Sequence, residues 1–514
     1  MSTHTADRAP LLRLGPTRAI ARRSSALRCA MALAIAAFGG VQVLAVENGA
    51  AGTIVGAGLV ALAAPLARGR RRALLAAAGL VVASLALDAD AVALPGLAAV
   101  ALLAALLVSA PAFRASGDPA TRRLIVPAAA LLAIGILADL ARAGGHLAHP
   151  LGATLLVGAC LLAARALRPW RTGADDDPEG RVRAARIVAE RATDTLAPFT
   201  LRADKQFFFA AAGTAFVAYR VVAGVALVSG DPVGDEAAFP ALVEDFARFT
   251  ERRGWTLAVL GASAHRLPLW RDAGLRAHYT GDEAIVDPNA FSLDGRAIRK
   301  VRQSVSRLER AGYSAEAVRS SGIDDPLAER IAEIASRWRG DRCETGYSMA
   351  FAGAAVDRTR DDLYVIARDE AGEARGFLHF GTVPGGRALS LSSMRREPDT
   401  PNGLNEFLIC RALDHAREHQ IERVSLNFAA FALLLDPPAP LDPLSRAERR
   451  VLARLGRSFQ LERLLSFSQK FGPEWTPRYA AYPSVATLPR IALAAMLAEA
   501  YVTLPSAPWR RRRP

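Results

Sequence analysis

Long apolar runs occupy the first third of the chain and short alternating ones the rest, so two kinds of structure are predicted. From Ala26 to Leu167 the residues are mainly Ala, Leu, Val and Gly, interrupted by short charged clusters. A helix needs roughly 20 apolar residues to cross a hydrocarbon core about 30 Å thick. Six stretches come near that length: 27–46, 50–67, 73–87, 91–113, 124–140 and 151–167. Arginines mark alternate connections. Arg8, Arg13, Arg18, Arg22 and Arg23 precede the first stretch and ARGRRR (67–72) follows the second; Arg114, Arg122 and Arg123 follow the fourth, and Arg168 and Arg171 the sixth. The remaining connections hold Glu47, then Asp88 and Asp90, then only Arg142. Because cytoplasmic loops retain basic residues, the pattern predicts about six spans with both termini cytoplasmic. Further spans follow the first, and no small-residue cleavage site stands out, so a removed secretory signal is not expected.

After the charged linker RPWRTGADDDPEGR (168–181) the pattern becomes that of a soluble α/β protein. Short β runs at 206–210, 214–220 and 223–230 lead to a helix at 236–253, a strand at 255–261, a short helix at 266–273 and an edge strand at 278–287. A second series follows: a helix at 325–339, strands at 362–369, 373–382 and 387–394, a helix at 403–419 and a strand at 423–428. Three strands, a helix and a strand is the core order of the acetyltransferase-like fold. The predicted class is therefore a membrane α-helical bundle of about six spans, followed by α/β in tandem acetyltransferase-like (GNAT-like) units. The expected partition is a basic cytoplasmic N-terminus (1–26), the transmembrane bundle (27–168), a linker (169–195), a first unit (196–290), a second unit with the catalytic elements (291–483), and an amphipathic helix with a basic tail (484–514).

Composition narrows the partners. A chain of 514 residues with net charge +14 and 51% hydrophobic residues combines apolar segments with basic surfaces suited to anionic lipid, nucleic acid or both. Cys29, Cys160, Cys343 and Cys410 form no CxxC, and no histidine stands at ligand spacing, so neither a disulfide framework nor a structural zinc site is expected. No charge falls plainly at mid-span, which argues against an ion-coupled transporter.

Four segments carry candidate chemistry. The helix at 295–312 places Ile298, Val301, Val305 and Leu308 on one face; Arg296, Arg299, Lys300, Arg302, Arg307 and Arg310 fill the rest. Such a face grips phosphates or is merely solvated. In SSMRREPDTPNGLNEF (392–407), Pro401, Asn402 and Gly403 stand where a helix begins. Its unpaired N–H groups suit a phosphate or a developing oxyanion, unless Asn402 simply caps the helix. A single glycine there makes a CoA pyrophosphate loop the weaker reading. The segment SFSQKFGPEWTPRYAAYP (466–483) reads as a loop stiffened by Pro473 and Pro477 that presents Lys470, Trp475, Arg478 and Tyr479. Those side chains suit an ester carbonyl, a lipid phosphate or a stacked adenosine, or a structural aromatic staple. Residues 488–502 read as an amphipathic helix, and Trp509 with Arg510–Arg513 as an interfacial anchor or a solvated tail.

Taken together, residues 199–483 resemble the catalytic region of the phosphatidylglycerol lysyltransferases, also called lysylphosphatidylglycerol synthases or multiple peptide resistance factors. The matching residues are SGDPVG (229–234), GDEAIVD (281–287), IRKVRQSVSRLERAGY (298–313), PNGLNEFLI (401–409), VSLNFA (424–429) and KFGPEWTPRY (470–479). The resemblance implies a tandem acetyltransferase-like fold on a membrane anchor in the plasma membrane. Lysyl- or alanyl-tRNA would be the donor and phosphatidylglycerol the acceptor, approaching from opposite sides. Arg395 matches the arginine of the family's Asp-Leu-Met-Arg segment, whose aspartate is replaced here by Ser392. Lys470 matches a lysine near the bound amino acid. The membrane part is shorter than in members that flip their product. An aminoacyl ester is already activated, so its transfer needs positioning more than nucleophile activation, and no metal or organic cofactor is required. The expected catalytic residues are Arg395, Lys470 and Glu406. Substrate contacts are expected from Lys300, Arg302, Arg307, Asn402, Gly403, Asn405, Asn427, Trp475, Arg478 and Tyr479. The partners are aminoacyl-tRNA, phosphatidylglycerol and other anionic lipids; a homo-oligomer is left open. Two other readings stand beside this one: a membrane-tethered acyl-CoA N-acyltransferase, and a lipid transporter regulated by its soluble half.

Overall fold

The computed structural model describes residues 16–44, 49–87, 94–116, 119–140, 154–155, 157–162, 165, 177–341, 346–351, 353, 355–430 and 465–501. The chain falls into two compact units, one built chiefly on Met1–Gly173 and the other on the residues that follow.

In the first unit, helices α1 (Pro16–Leu44), α2 (Gly49–Ala67), α3 (Arg71–Leu87), α4 (Leu94–Ser109) and α5 (Ile125–Leu140) stand at the places of the first five expected spans. Among the described residues, Ala26–Leu44 and Pro95–Ala112 are long and apolar enough to cross a membrane, and Gly52–Ala67 is a shorter apolar helix. Most of the sixth expected stretch lies outside the described residues, as do Asp88, Asp90 and Arg142. Ile35, Leu59, Leu66 and Leu106 fill the interior, whereas Leu33, Val41, Leu75, Leu107 and Val108 are exposed. Helices α1 and α2 meet at Gly39 and Gly56, where a Cβ on either glycine would come within 2.6 Å of the other's carbonyl oxygen. Small residues at such a crossing let two backbones touch.

The second unit opens earlier than expected. Residues assigned to the linker form helix α6 (Pro178–Arg191), with Asp177 accepting from the Gly180 N–H at 2.8 Å and Ala184, Ile187 and Val188 buried. An Asp cap followed by Pro at the first helical position is a strong start signal, here hidden within a run of charges. Strands β1 (Gln206–Phe209), β2 (Ala215–Val222), β3 (Val225–Ser229) and β4 (Val233–Gly234) follow. Helix α7 (Phe239–Arg253), strand β5 (Thr256–Ser263), helix α8 (Leu267–Asp272) and strand β6 (Arg276–Val286) come next. Helix α9 (Arg299–Arg310), strand β7 (Ser314–Arg319) and helix α10 (Asp325–Arg339) lead to β8 (Leu363–Arg368), β9 (Ala374–Val383), β10 (Ala388–Arg396), helix α11 (Leu404–Glu418) and β11 (Arg423–Ala430). Strand β12 (Glu474–Tyr482) and helix α12 (Leu488–Ala498) complete the described chain.

All twelve strands join one sheet, in the order β1-β2-β3-β5-β12-β6-β11-β10-β9-β8-β7 with β4 on β2. Strands β7 to β10 run antiparallel in turn, and α11 then crosses to β11, which lies parallel to β10. That is the acetyltransferase-like (GNAT-like) arrangement. Helices α9 and α11 cover one face over Leu363, Val365, Leu378 and Phe380; α10 covers the other over Tyr364, Ile366 and Phe377.

Two expectations are corrected. Strand β6 is central, paired with β12 on one side and β11 on the other. Much of the expected loop at 466–483 is strand β12, inserted between β5 and β6. Its pairing with β5 begins at Arg478, so Pro477 faces only β6, opposite Asp282, and its missing N–H breaks no β5 bond. Helix α12 buries Ile491, Ala494 and Ala498 against Val225, Leu227 and Tyr482. The sheet thus takes the apolar face of this amphipathic helix; Trp509 and Arg510–Arg513 lie outside the described residues.

Candidate functional site

The turn from β10 into α11 gathers six of the expected residues. Gly403 caps α11 at φ +93°, a left-handed conformation that disfavours any side chain, and a Cβ there would come within 2.7 Å of the Ser304 Cβ on α9. Arg307, also on α9, donates to the Asn402 carbonyl. Glu406 occupies the first turn of α11, and Lys470 Nζ lies 2.8 Å from its Oε1 while resting on the Phe467 ring. Lys470 therefore pairs with a carboxylate in the first turn of α11, Arg307 engages the carbonyl just before it, and the N-terminal N–H groups of the helix suit an anion. Asn405 follows Leu404, its Oδ1 buried with no hydrogen-bond partner among the described residues. Lys300 is exposed on α9. Arg302 turns back to the carbonyls of Leu293 and Gly295, so it braces the loop before α9.

Arg395 is not in this cluster. It pairs in register with Phe377, whose side chain faces α10, and its guanidinium lies 5.8 Å from the Trp338 ring centre. The adjacent Met394 packs on the α11 side. Arg395 and the Lys470–Glu406 pair therefore occupy opposite faces of the sheet.

Strands β10 and β11 are paired only from Ala388–Ser390 to Arg423–Ser425 before the register breaks in both. Asn427, at φ +77°, bridges the gap: its Nδ2 donates to Leu391 O at 2.8 Å and Met349 O at 2.9 Å, and its Oδ1 accepts from Phe428 N. The amide is thus engaged with backbone at both its nitrogen and its oxygen. Ser392 accepts from the Phe351 N–H at 3.0 Å and so fastens the same segment, 346–351. Phe351 stacks on buried His379, whose Nε2 meets Asp362 at 3.0 Å; burial holds this histidine below its ordinary pKa.

Strand β12 carries Arg478 into a buried polar cluster. Arg478 is buried with Nε and Nη2 on Glu283 (2.9 and 2.6 Å), Nη1 on Asp194 (2.8 Å) and Nη2 also on Thr195 (3.0 Å). Burial alone would lower its pKa, but Asp194 and Glu283 raise it above the ordinary value. Burial likewise opposes ionisation of Asp194, yet Arg478 holds that carboxyl below its usual range. Arg478 is a structural clamp. Trp475 packs at the edge of the α9–α11 core, and Tyr479 lies edge-on to Tyr279 with its hydroxyl pKa raised by burial and by Asp282.

The remaining resemblance motifs supply buried polar ties. Lys205 Nζ donates to Ser229 Oγ (2.6 Å) and Phe199 O (2.8 Å) and rests on the Tyr347 ring; burial pushes it down to about 7. Asp231 accepts from Ser263 N and Oγ and from Trp270 Nε1, and burial followed by Asp194 pushes it up to about 6. Ser425 donates to Glu283 at 2.5 Å. Sequence reasoning passed over these roles. Asp231 and Glu283 stood within matching motifs, but Lys205 carried no signal. A cavity of about 580 Å³ lined by Glu316, Asp324, Glu329, Arg330 and Glu333 contains none of the expected site residues.

Residues 185–482, more than half of the chain, match the family described as phosphatidylglycerol lysyltransferase, C-terminal. The chain belongs to this family. Among relatives of this phosphatidylglycerol lysyltransferase region, the lysylphosphatidylglycerol biosynthesis bifunctional protein LysX of Mycobacterium tuberculosis H37Rv is 40% identical over 316 residues, covering 61% of this chain and 27% of LysX. The chain thus spans 27 to 28% of the length of the curated relatives it matches. A solved C-terminal domain from Agrobacterium fabrum, described as that of a lysylphosphatidylglycerol synthetase, is 26% identical with a TM-score of 0.55, over 62% of this chain and 96% of its own. The Bacillus licheniformis L-PGS structure shares the fold at 22% identity and a TM-score of 0.57, over 65% and 100%.

Proposed function

We propose that the chain transfers an amino acid, lysine or alanine, from aminoacyl-tRNA to the glycerol hydroxyl of phosphatidylglycerol. The observation that carries this reading is the family match across 185–482, within which the Lys470–Glu406 pair sits at the Gly403 terminus of α11. The glycerol oxygen attacks the ester carbonyl and the bond to the tRNA ribose oxygen breaks. The glycerol proton passes to that ribose oxygen, so one ester replaces another with no redox partner. Lys470 and the α11 N–H groups stabilise charge on the reacting carbonyl or hold the tRNA end, and Glu406 orients the amino group. Lys300 and Arg307 attract phosphate, and Asn402 and Asn405 shape the approach. Arg395, on the opposite face, holds the second substrate, which supports the two reactants arriving from opposite sides. Trp475 and Tyr479 line the route.

Exchange between esters is favoured over acyl-CoA chemistry by two features. The α11 turn offers one glycine, with its Asn402 carbonyl engaged by Arg307, and the gap between β10 and β11 is bridged by Asn427.

The helical unit anchors the enzyme in the plasma membrane with about six spans and both termini cytoplasmic. Its outward apolar side chains and the alternating arginines support this. The product carries an added ammonium group, so the surface becomes less anionic and repels cationic peptides. Lipid mass spectrometry of cells with and without the chain tests the reading. A new phosphatidylglycerol adduct whose mass names the amino acid is expected, and Lys470→Ala should lower it on the order of 10²-fold. A lipid profile unchanged by the chain would refute it.

A further inference from the structure

The helical unit joins two basic turns that lie far apart in sequence. Arg71 N donates to Ala115 O at 2.9 Å, and Ala115 N donates to Gly69 O at 3.1 Å. Arg72 Nη1 donates to Thr121 Oγ1 at 2.8 Å. The α2–α3 turn and the α4–α5 turn are thus stitched together at one end of the bundle. Their sequences, 67–72 and 112–124, contain seven arginines and one acid, Asp118. Arg68, Arg71, Arg114, Arg122 and Arg123 are exposed around the stitch.

Exposed apolar side chains precede or follow these arginines within a turn or two along the chain. Leu75, one helical turn beyond Arg71 and on the same face of α3, is 63% exposed. Val126, just past Arg123, is 75% exposed, and Val108, before Arg114, is 83% exposed. Charge next to exposed hydrocarbon matches an amphiphile: a phosphodiester on the guanidinium groups, its acyl chains along Leu75, Val108 and Val126. A nucleic acid brings phosphates without tails, and a zwitterionic lipid brings its own ammonium to face the arginines.

We propose that the joined α2–α3 and α4–α5 turns form a headgroup site for an anionic membrane phospholipid, distinct from the Lys470–Glu406 cluster. The proposal rests on the reading that the helical unit lies in a membrane, and goes beyond the transfer reaction.

The test uses the full chain in neutral detergent, with retained lipid counted by native mass spectrometry after addition of phosphatidylglycerol or phosphatidylcholine. The native chain should retain phosphatidylglycerol preferentially. The triple variant Arg71→Gln, Arg122→Gln, Arg123→Gln should retain one fewer molecule, with affinity weakened roughly fivefold per arginine, while phosphatidylcholine is unaffected and helical circular dichroism is preserved. The Arg→Lys triple variant should keep most of the retention. Equal retention of the two lipids, or phosphatidylglycerol held equally by native chain and glutamine variant, overturns the site. So does a glutamine variant that loses binding to inorganic phosphate or tRNA but not to lipid. Failure of the chain to float with vesicles would instead overturn the membrane reading, and failure of transfer in the same preparations would bear on the enzymatic reading alone.

Discussion

Arg478 lies buried with Asp194, Thr195 and Glu283 on its guanidinium. An arginine in a proline-bounded aromatic segment resembles a ligand contact, and only the fold shows that Asp194 and Glu283 surround it. Breaking a buried pair leaves uncompensated charge and costs about 3–5 kcal/mol. Arg478→Ala should therefore lower the melting temperature steeply and abolish transfer only through unfolding; a stable but inactive variant would return Arg478 to the substrate. Lys205 makes a pH prediction. Its folded pKa of about 7 lies below its unfolded value, so the folded state holds fewer protons between about 7 and 10.5. Stability should rise with pH across that window and be fully present above it. Chemical denaturation from pH 7 to 10 should show the rise in the native chain and a flatter profile in Lys205→Met. Lys470 was marked in the sequence by its match to a family lysine and Glu406 by its place at the start of a helix; their direct pairing had no sequence signal.

Elements were readable where periodicity was clean. Helix α9, with Val301, Val305 and Leu308 buried, and α11 with its preceding strands follow the apolar spacing closely. Strand β12 was not readable, because prolines at 473 and 477 mark loops in local sequence, and only the break in β5 pairing makes room for Pro477. Helix α6 was masked by charge, and the central position of β6 depends on a strand almost two hundred residues away. The entry to α11 can be tested without removing any functional group. Gly403→Ala introduces a methyl at φ +93° against Ser304, so α11 should start elsewhere and transfer should fall by at least tenfold, for a stability loss of about 1 kcal/mol. Native-like activity in Gly403→Ala would mean that the helix terminus does not position the reaction.

At the scale of the whole molecule, one continuous sheet carries Lys470 and Glu406 on one face and Arg395 on the other. No local sequence pattern could show that separation, since it follows from a bulge in β10 between Leu391 and Ser393 and from the register of Arg395 with Phe377. The alternation of arginines along the apolar half was legible, and it organises the proposed membrane anchor. The proposed transfer requires a charged tRNA end and a lipid hydroxyl to meet at this sheet. Its most direct test is to supply the purified full chain, in phosphatidylglycerol vesicles, with tRNA charged with labelled lysine or alanine and to count label in the lipid. Labelled lipid that disappears when the tRNA is digested beforehand is expected; label arriving only from an acyl-CoA, or none from any charged tRNA, would refute the transfer.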